Sequence, residues 1–424
     1  MITGSAQAQP STRLHSGFRS SLTFASVLAI VLCIAACSVS NLTYGMVVRD
    51  LDSAVVVEGT GPDQRLIYRT GVESTAGIAR WTLLLPLRPI LFWTFGERVD
   101  RELENPSSYV RELIGVVGQK AGSNLLRCAD TAQRLVRVAE LDPAPLNRIV
   151  ALDSIAAIAK VVGVDLLTGL VERGLQLEPP ADGAQALERF TSMRPAQRTP
   201  PGGPLSEDER ALYGAALGVL SARPLPHWSQ RLALVADLSN AVRDEQQPDM
   251  RVAAQAALRS ALHHALQWAV IDAAAGRNVE LIEVRIRAIE ELHRSGGSDS
   301  VPVLLAMLAA SPEQIAAGEP TFEDNDALRL RLVHLCGQLD PDRAVQICTF
   351  PGREAWQRIA PAEFLVRMAL DGDPYYSPVA MPAREALAHC LRREHARPAE
   401  DLDFGGEDWI RVWWSEFQKQ KGKP

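Results

Sequence analysis

The chain has 424 residues, 47% of them hydrophobic and 22% charged, ordinary values for a globular protein and enough length for two or more domains. Acidic residues outnumber basic ones 51 to 44, giving a formal net charge of −7. That balance sets nucleic acid aside as a partner, because such binding needs clustered cationic surface. None of the six cysteines falls in a C-x-x-C pair, which sets aside a zinc ribbon and a thioredoxin-type redox motif.

The first informative element is at the N-terminus. Arg13 and Arg19 precede the apolar run 22–37 (LTFASVLAIVLCIAAC), and no acidic residue occurs before Asp50. A basic region, an apolar stretch and a small-residue cleavage site are the parts of a secretory signal, here with the cut between Ala36 and Cys37. The tetrapeptide Ile34-Ala35-Ala36-Cys37 resembles the lipobox of bacterial lipoproteins. That resemblance implies thioether lipidation of Cys37, cleavage before it and acylation of the new amine. Two or more acyl chains anchor a protein stably where one does so marginally. The expected location is therefore the bacterial cell envelope, with the chain held to a membrane through this N-terminal lipid and facing the periplasm or exterior. An uncleaved signal anchor and an ordinary cleaved signal are the alternatives, and Ser38 after the cysteine is compatible with sorting to the outer membrane.

Residues 37–104 read as an N-terminal arm. Valine-rich clusters at 46–48 and 54–57, then Thr60-Gly61-Pro62-Asp63 and Arg65-Leu66-Ile67-Tyr68, predict a short β-hairpin or extended arm. The segment 81–96 (WTLLLPLRPILFWTFG) is strongly apolar but is interrupted by Pro86, Arg88 and Pro89. It falls short of the roughly 20 apolar residues a spanning helix needs, so an interfacial or a buried segment is expected ahead of a spanning one.

From 105 to 173 the pattern is helical. Leu125, Leu126, Ala129, Ala132, Leu135, Val136 and Ala139 recur at three and four residues, and Leu146, Ile149, Val150, Leu152, Ile155, Ile158 and Val161 resume after Pro143 and Pro145. Two consecutive helices are expected to form a hairpin. Residues 174–206 hold six prolines with Gly183, Gly202 and Gly203 and read as a linker. Ser206, followed by Glu207-Asp208-Glu209, restarts a helix with a capping signature.

The stretch 207–424 carries a repeat. Val284–Leu292, a Ser/Gly turn and Val301–Leu308 are followed 44 positions later by Leu328–Cys336, a turn at Asp340-Pro341-Asp342 and Ala344–Cys348. A further copy, Ala383–Leu391, lies 55 positions on. Residues 279–348 resemble HEAT repeats, whose units run to roughly 40–47 residues. The resemblance implies an all-α, HEAT-like α-solenoid in which each helix pair buries its apolar face on its neighbours. Trp409, Trp413 and Trp414 then belong to a last helix that caps the stack.

Catalytic signatures are sparse. The chain has no G-x-S-x-G and no H-E-x-x-H; His263 and His264 are adjacent, and the Gly115–Gly122 stretch lacks the spacing of a phosphate loop. The run Glu323-Asp324-Asn325-Asp326 reads as a helix cap. Cys336 and Cys348 are placed to bridge adjacent helices, or all of Cys128, Cys336, Cys348 and Cys390 are small core residues. Arg285, Arg287, Arg329 and Arg331, with Arg384, form a recurring basic feature. It either meets an acidic partner or pairs with Glu290, Glu291, Asp326 and Glu385. The expectation is a non-catalytic lipid-anchored scaffold or envelope component, with an unknown protein partner and no cofactor. The alternative is an enzyme or ligand-binding protein whose site is assembled from distant residues.

Overall fold

The computed structural model describes residues 43–60, 63–68, 106–174, 182–201, 203–222, 225, 227–276, 281–308, 325–346, 360–370, 377–391 and 406–421. The lipobox with Ala36 and Cys37, the apolar segment 81–96, and Cys348 lie outside the described residues. The described chain is mostly helical and falls into two compact units, 1–58 with 67–120, and 59–66 with 121–424.

The first unit holds α1 (Tyr44–Ala54), β1 (Val55–Glu58) and α2 (Pro106–Ala121). Strand β1 pairs with β2 (Arg65–Tyr68) in a two-stranded sheet, as the valine cluster at 54–57 predicts. The cluster at 46–48 is helical instead: Val47, Leu51 and Ala54 recur at helical spacing and are buried together. Asp50 shares that face and is buried, accepting a hydrogen bond from Tyr109 Oη at 3.3 Å.

The second unit begins with α3 (Leu125–Leu141), capped by Asn124, whose side chain accepts from the Arg127 amide at 3.1 Å. Helix α4 (Pro145–Val162) starts on a proline, where a missing N–H costs nothing, and ends at Gly163 with φ +73°. Next come α5 (Leu166–Gly174) and α6 (Gly183–Met193), then a 3-10 turn at Pro195–Gln197. The expected linker thus carries a helix of its own. Its prolines flank α6 rather than interrupt it, while Ala186 and Phe190, one turn apart, are buried and Phe190 stacks on Tyr213 at 5.8 Å.

Helix α7 (Glu207–Ala222) opens with the foreseen reciprocal cap: Ser206 N donates to Glu209 Oε2 at 2.8 Å and Glu209 N to Ser206 Oγ at 3.3 Å. It leads to α8 (Trp228–Asp244) and the long α9 (Pro248–Ala275). Then follow α10 (Ile282–Gly296), α11 (Ser300–Leu308), α12 (Asp326–Gly337), α13 (Pro341–Ala344), α14 (Pro361–Leu370), α15 (Ala380–Cys390) and α16 (Gly406–Lys421). Asn325 caps α12, accepting from the amides of Ala327 and Leu328.

Helix α9 is the centre of this unit. Small residues (Ala254, Ala257, Ala261, Ala265, Ala269, Ala274) let neighbours approach closely, and Leu258, Leu262, Leu266 and Ile271 fill the gaps between them. It packs on α3, α4, α5, α7, α8 and α10. Helices on both sides of 174–206 therefore share one core, and that stretch is not the boundary between units. Farther along, α10 packs on α11 and α12, α12 on α14 and α15, and α14 on α15.

Candidate functional site

Arginines recur near the helix starts, and three of them (Arg231, Arg285 and Arg384) are buried. Arg148, Arg210, Arg231, Arg251, Arg285 and Arg329 each stand fourth in their helix, and Arg384 stands fifth in α15. In an antiparallel pair this position lies beside the last turn of the preceding helix. There the carbonyls lack intrahelical donors and the helix end carries partial negative charge. Arg251 Nε donates to Glu245 O at 2.8 Å, Arg285 Nε to Ala274 O at 3.3 Å, and Arg384 Nε to Ala369 O at 3.3 Å. Arg231 Nη1 does the same to Leu225 O, in the loop before its own helix, at 2.9 Å.

The basic residues singled out in the sequence are distributed accordingly. Arg285 is only 3% exposed, so it belongs to the interior and not to a partner-facing row. Arg287 lies in an ion-pair network, 2.6 Å from Asp153 on α4, 3.1 Å from Glu290 and 3.3 Å from Glu291. The hydrogen bond that Arg287 donates to Asp153 is the largest of the effects that raise the Arg287 pKa. Arg331 reaches the same Glu290 at 3.0 Å from α12, so the network braces α4, α10 and α12 together. Arg329 is half-buried in the first turn of α12. Pairing with Glu290 and Glu291 was foreseen; Asp153, 134 residues before Arg287, was not.

One of these fourth-position arginines organises a tighter cluster. His264, Trp268 and Asp272 are spaced by four on α9 and so share one face. Arg231 Nη2 meets Asp272 Oδ2 at 2.5 Å, and its guanidinium lies over the Trp268 ring, 5.4 Å from the centroid. Glu140, in the last turn of α3, and Arg148, from the start of α4, complete the group. Burial pushes the Glu140 carboxyl up to about 7; the negative charge of Asp272 adds to this, and Arg148 and Arg231 oppose it. Burial also holds His264 down to about 4, with help from His263 and Arg231. The Arg148 guanidinium is lowered by burial, against the pull of Glu140 and Asp142.

Chemically, this set offers a carboxyl that burial holds toward its protonated form, an imidazole held neutral, and a carboxylate, Asp272, paired with the Arg231 guanidinium. Sequence reading missed it because its members come from four helices, although the i, i+4, i+8 spacing of His264, Trp268 and Asp272 was visible. Among the described residues, no group of three or more His, Cys, Asp or Glu side chains is placed to hold a metal ion. His389 Nδ1 instead donates to Gly337 O at 2.8 Å. No family model, no curated protein and no solved structure matches this chain.

Proposed function

We propose that this is a lipid-anchored, exported helical scaffold that binds a protein or another envelope component and performs no chemistry of its own. The observation that carries the reading is Ile34-Ala35-Ala36-Cys37, behind a basic region and an apolar run and ahead of a helical body. The body suits such a role because its charged residues brace helix to helix. Arg285 ties α10 to the end of α9, while Arg287 and Arg331 join α4, α10 and α12. Such bracing makes a stiff platform, whose outer helix faces can meet a partner without ordering cost. The HEAT-like arrangement is part of the same proposal, supported by the packing of α10, α11, α12, α14 and α15 in near chain order. The partner and the choice between inner and outer membrane follow from where the lipid places this body.

A second reading has one observation in its favour. Glu140, poised near neutral pH beside Asp272, Arg148 and Arg231, has the character of a ligand or proton site assembled from distant residues.

The first test is the mass of the N-terminal peptide of the mature protein from detergent-extracted membranes. A peptide beginning at Cys37 with added acyl mass supports the anchor, and Cys37→Ser should then move the body from the membrane to the soluble fraction. An unlipidated peptide containing residues 22–37 refutes it. Cross-linking of the anchored protein, compared with Glu140→Gln, separates the two readings, because a scaffold keeps its partner when that cluster is altered.

A further inference from the structure

Helices α12 and α15 approach closely at a glycine. A Cβ built on Gly337 would lie 2.9 Å from Ala386 Cβ and 3.2 Å from Ala386 Cα, so the two backbones touch there. Three residues after Ala386, His389 Nδ1 donates to the Gly337 carbonyl at 2.8 Å. Two of these three contact residues are chain neighbours of a cysteine: Cys336 precedes Gly337, and Cys390 follows His389, one helical turn beyond Ala386. Both cysteines are fully buried, Cys390 as the last residue of α15 and Cys336 as the last but one of α12. All three described cysteines are free thiols in this structure, Cys390 Sγ donating to Leu387 O at 3.4 Å and Cys128 Sγ to Gly122 O at 3.2 Å. A disulfide needs its two Cα atoms about 4.4–6.8 Å apart, and the contacts of Gly337 with Ala386 and His389 bring together the two helices that carry Cys336 and Cys390.

We propose that Cys336 and Cys390 are the substrate of an oxidising dithiol–disulfide exchange and form a disulfide that locks α12 to α15. This departs from the Cys336–Cys348 bridge suggested by sequence proximity, and it rests on the export reading, because cytosolic thiols stay reduced. The exchange balances with an oxidant of the disulfide class. The Cys336 thiolate attacks the oxidant's S–S bond and releases one of its sulfurs as thiolate. Cys390 thiolate then displaces the second sulfur from the mixed disulfide. Two electrons pass to the oxidant, and the two cysteine protons pass to the released thiolates or to water. Timing follows from the environment. Burial, reinforced by the neighbouring Cys390, holds the Cys336 thiol well above its ordinary value, and burial takes Cys390 to about 12. In the folded chain neither is a working nucleophile, so the bond forms while the chain is still unfolded and is then shielded from reductants.

The experiment is peptide mapping, without reduction, of the full chain extracted from membranes after alkylation of free thiols. The N-terminal acyl mass is read from the same sample. A cross-linked pair of peptides carrying Cys336 and Cys390, 2 Da lighter than the two thiol forms, is the expected result. Reduction should then lower the Tm by about 5–10 °C. Acylated Cys37 with both thiols alkylated overturns the disulfide and leaves the address standing, as does a bridge from either cysteine to Cys348. If the acyl mass is absent, the address fails, and the bond is judged by refolding the reduced, unfolded full chain in a glutathione redox buffer. Formation of the Cys336–Cys390 bond there upholds the pairing, and its failure to form overturns it.

Discussion

Replacing Glu140 by Gln should stabilise this protein at pH 8 and leave it nearly unchanged at pH 4.5. In the folded chain the carboxyl titrates near 7, against an ordinary value of 4.5. Between those values the folded state binds the proton and the unfolded state does not. Stability therefore falls as pH rises through this window, and above it the ionised carboxylate weighs fully against folding. The raised value already includes the favourable pull of Arg148 and Arg231, so those pairs are not an additional loss on substitution. A shift of about 2.5 units corresponds to about 3 kcal/mol, an upper bound because the side chain keeps some solvent. We expect about 1–2 kcal/mol of gain at pH 8 from urea unfolding followed by circular dichroism, with an unchanged denaturant slope. A destabilised variant at pH 8 would refute the reasoning, as would an effect of equal size at both pH values. Either result would mean that Arg148 and Arg231 hold Glu140 ionised in the folded state.

Three further outcomes are expected. His264 behaves in the opposite sense: its depressed value means that stability is lost as pH falls from about 6.5 through 4, where the unfolded chain takes up the proton first. His264→Gln should flatten that acid limb of the urea midpoint, and an unchanged limb would assign it to other groups. Arg285→Met removes a buried guanidinium from the end of α9 and should cost about 2–3 kcal/mol. Faster amide exchange should be concentrated at 272–276, and uniform loss of protection across α9 would show that the arginine is not an end cap. Gly337→Ala should destabilise by about 1–3 kcal/mol, because Ala386 opposes the new methyl with backbone. Gly214→Ala, in open space on α7, should instead gain about 0.5–1 kcal/mol in the same thermal scan.

Much of the local structure could be read from the chain because it is set by neighbours in sequence. The reciprocal cap of Ser206 and Glu209, the Asn325 cap and the periods of α3 and α4 are all local effects. Even so, Leu146 and Val161, counted as core by their spacing, are half or more exposed, because periodicity fixes a stripe but not which neighbour covers its ends. The valines at 46–48 were misread, since a branched residue in a short run suits a strand as well as a buried helix face. Composition misled at 174–206, where the spacing of Ala186 and Phe190 outweighs the flanking prolines. Of the charged cluster only the face of α9 was visible. Glu140, Arg148 and Arg231 join it through packing between helices far apart in sequence, which no local pattern encodes. The arginine row was seen, but its constant distance from the helix starts, which explains it, emerges only once those starts are known.

The six neighbours of α9 bear on how this chain can change in length. A strictly linear repeat array gains or loses units at little cost, because each unit touches only the ones before and after it. Here α9 is lined on several sides by α3, α4, α5, α7, α8 and α10, so deleting either hairpin around it would strip a wall from the same helix. Duplication of one pair would likewise leave the added copy without a matching α9. A change in length on either side of α9 therefore carries the cost of rebuilding that shared core, a cost that a linear array does not face.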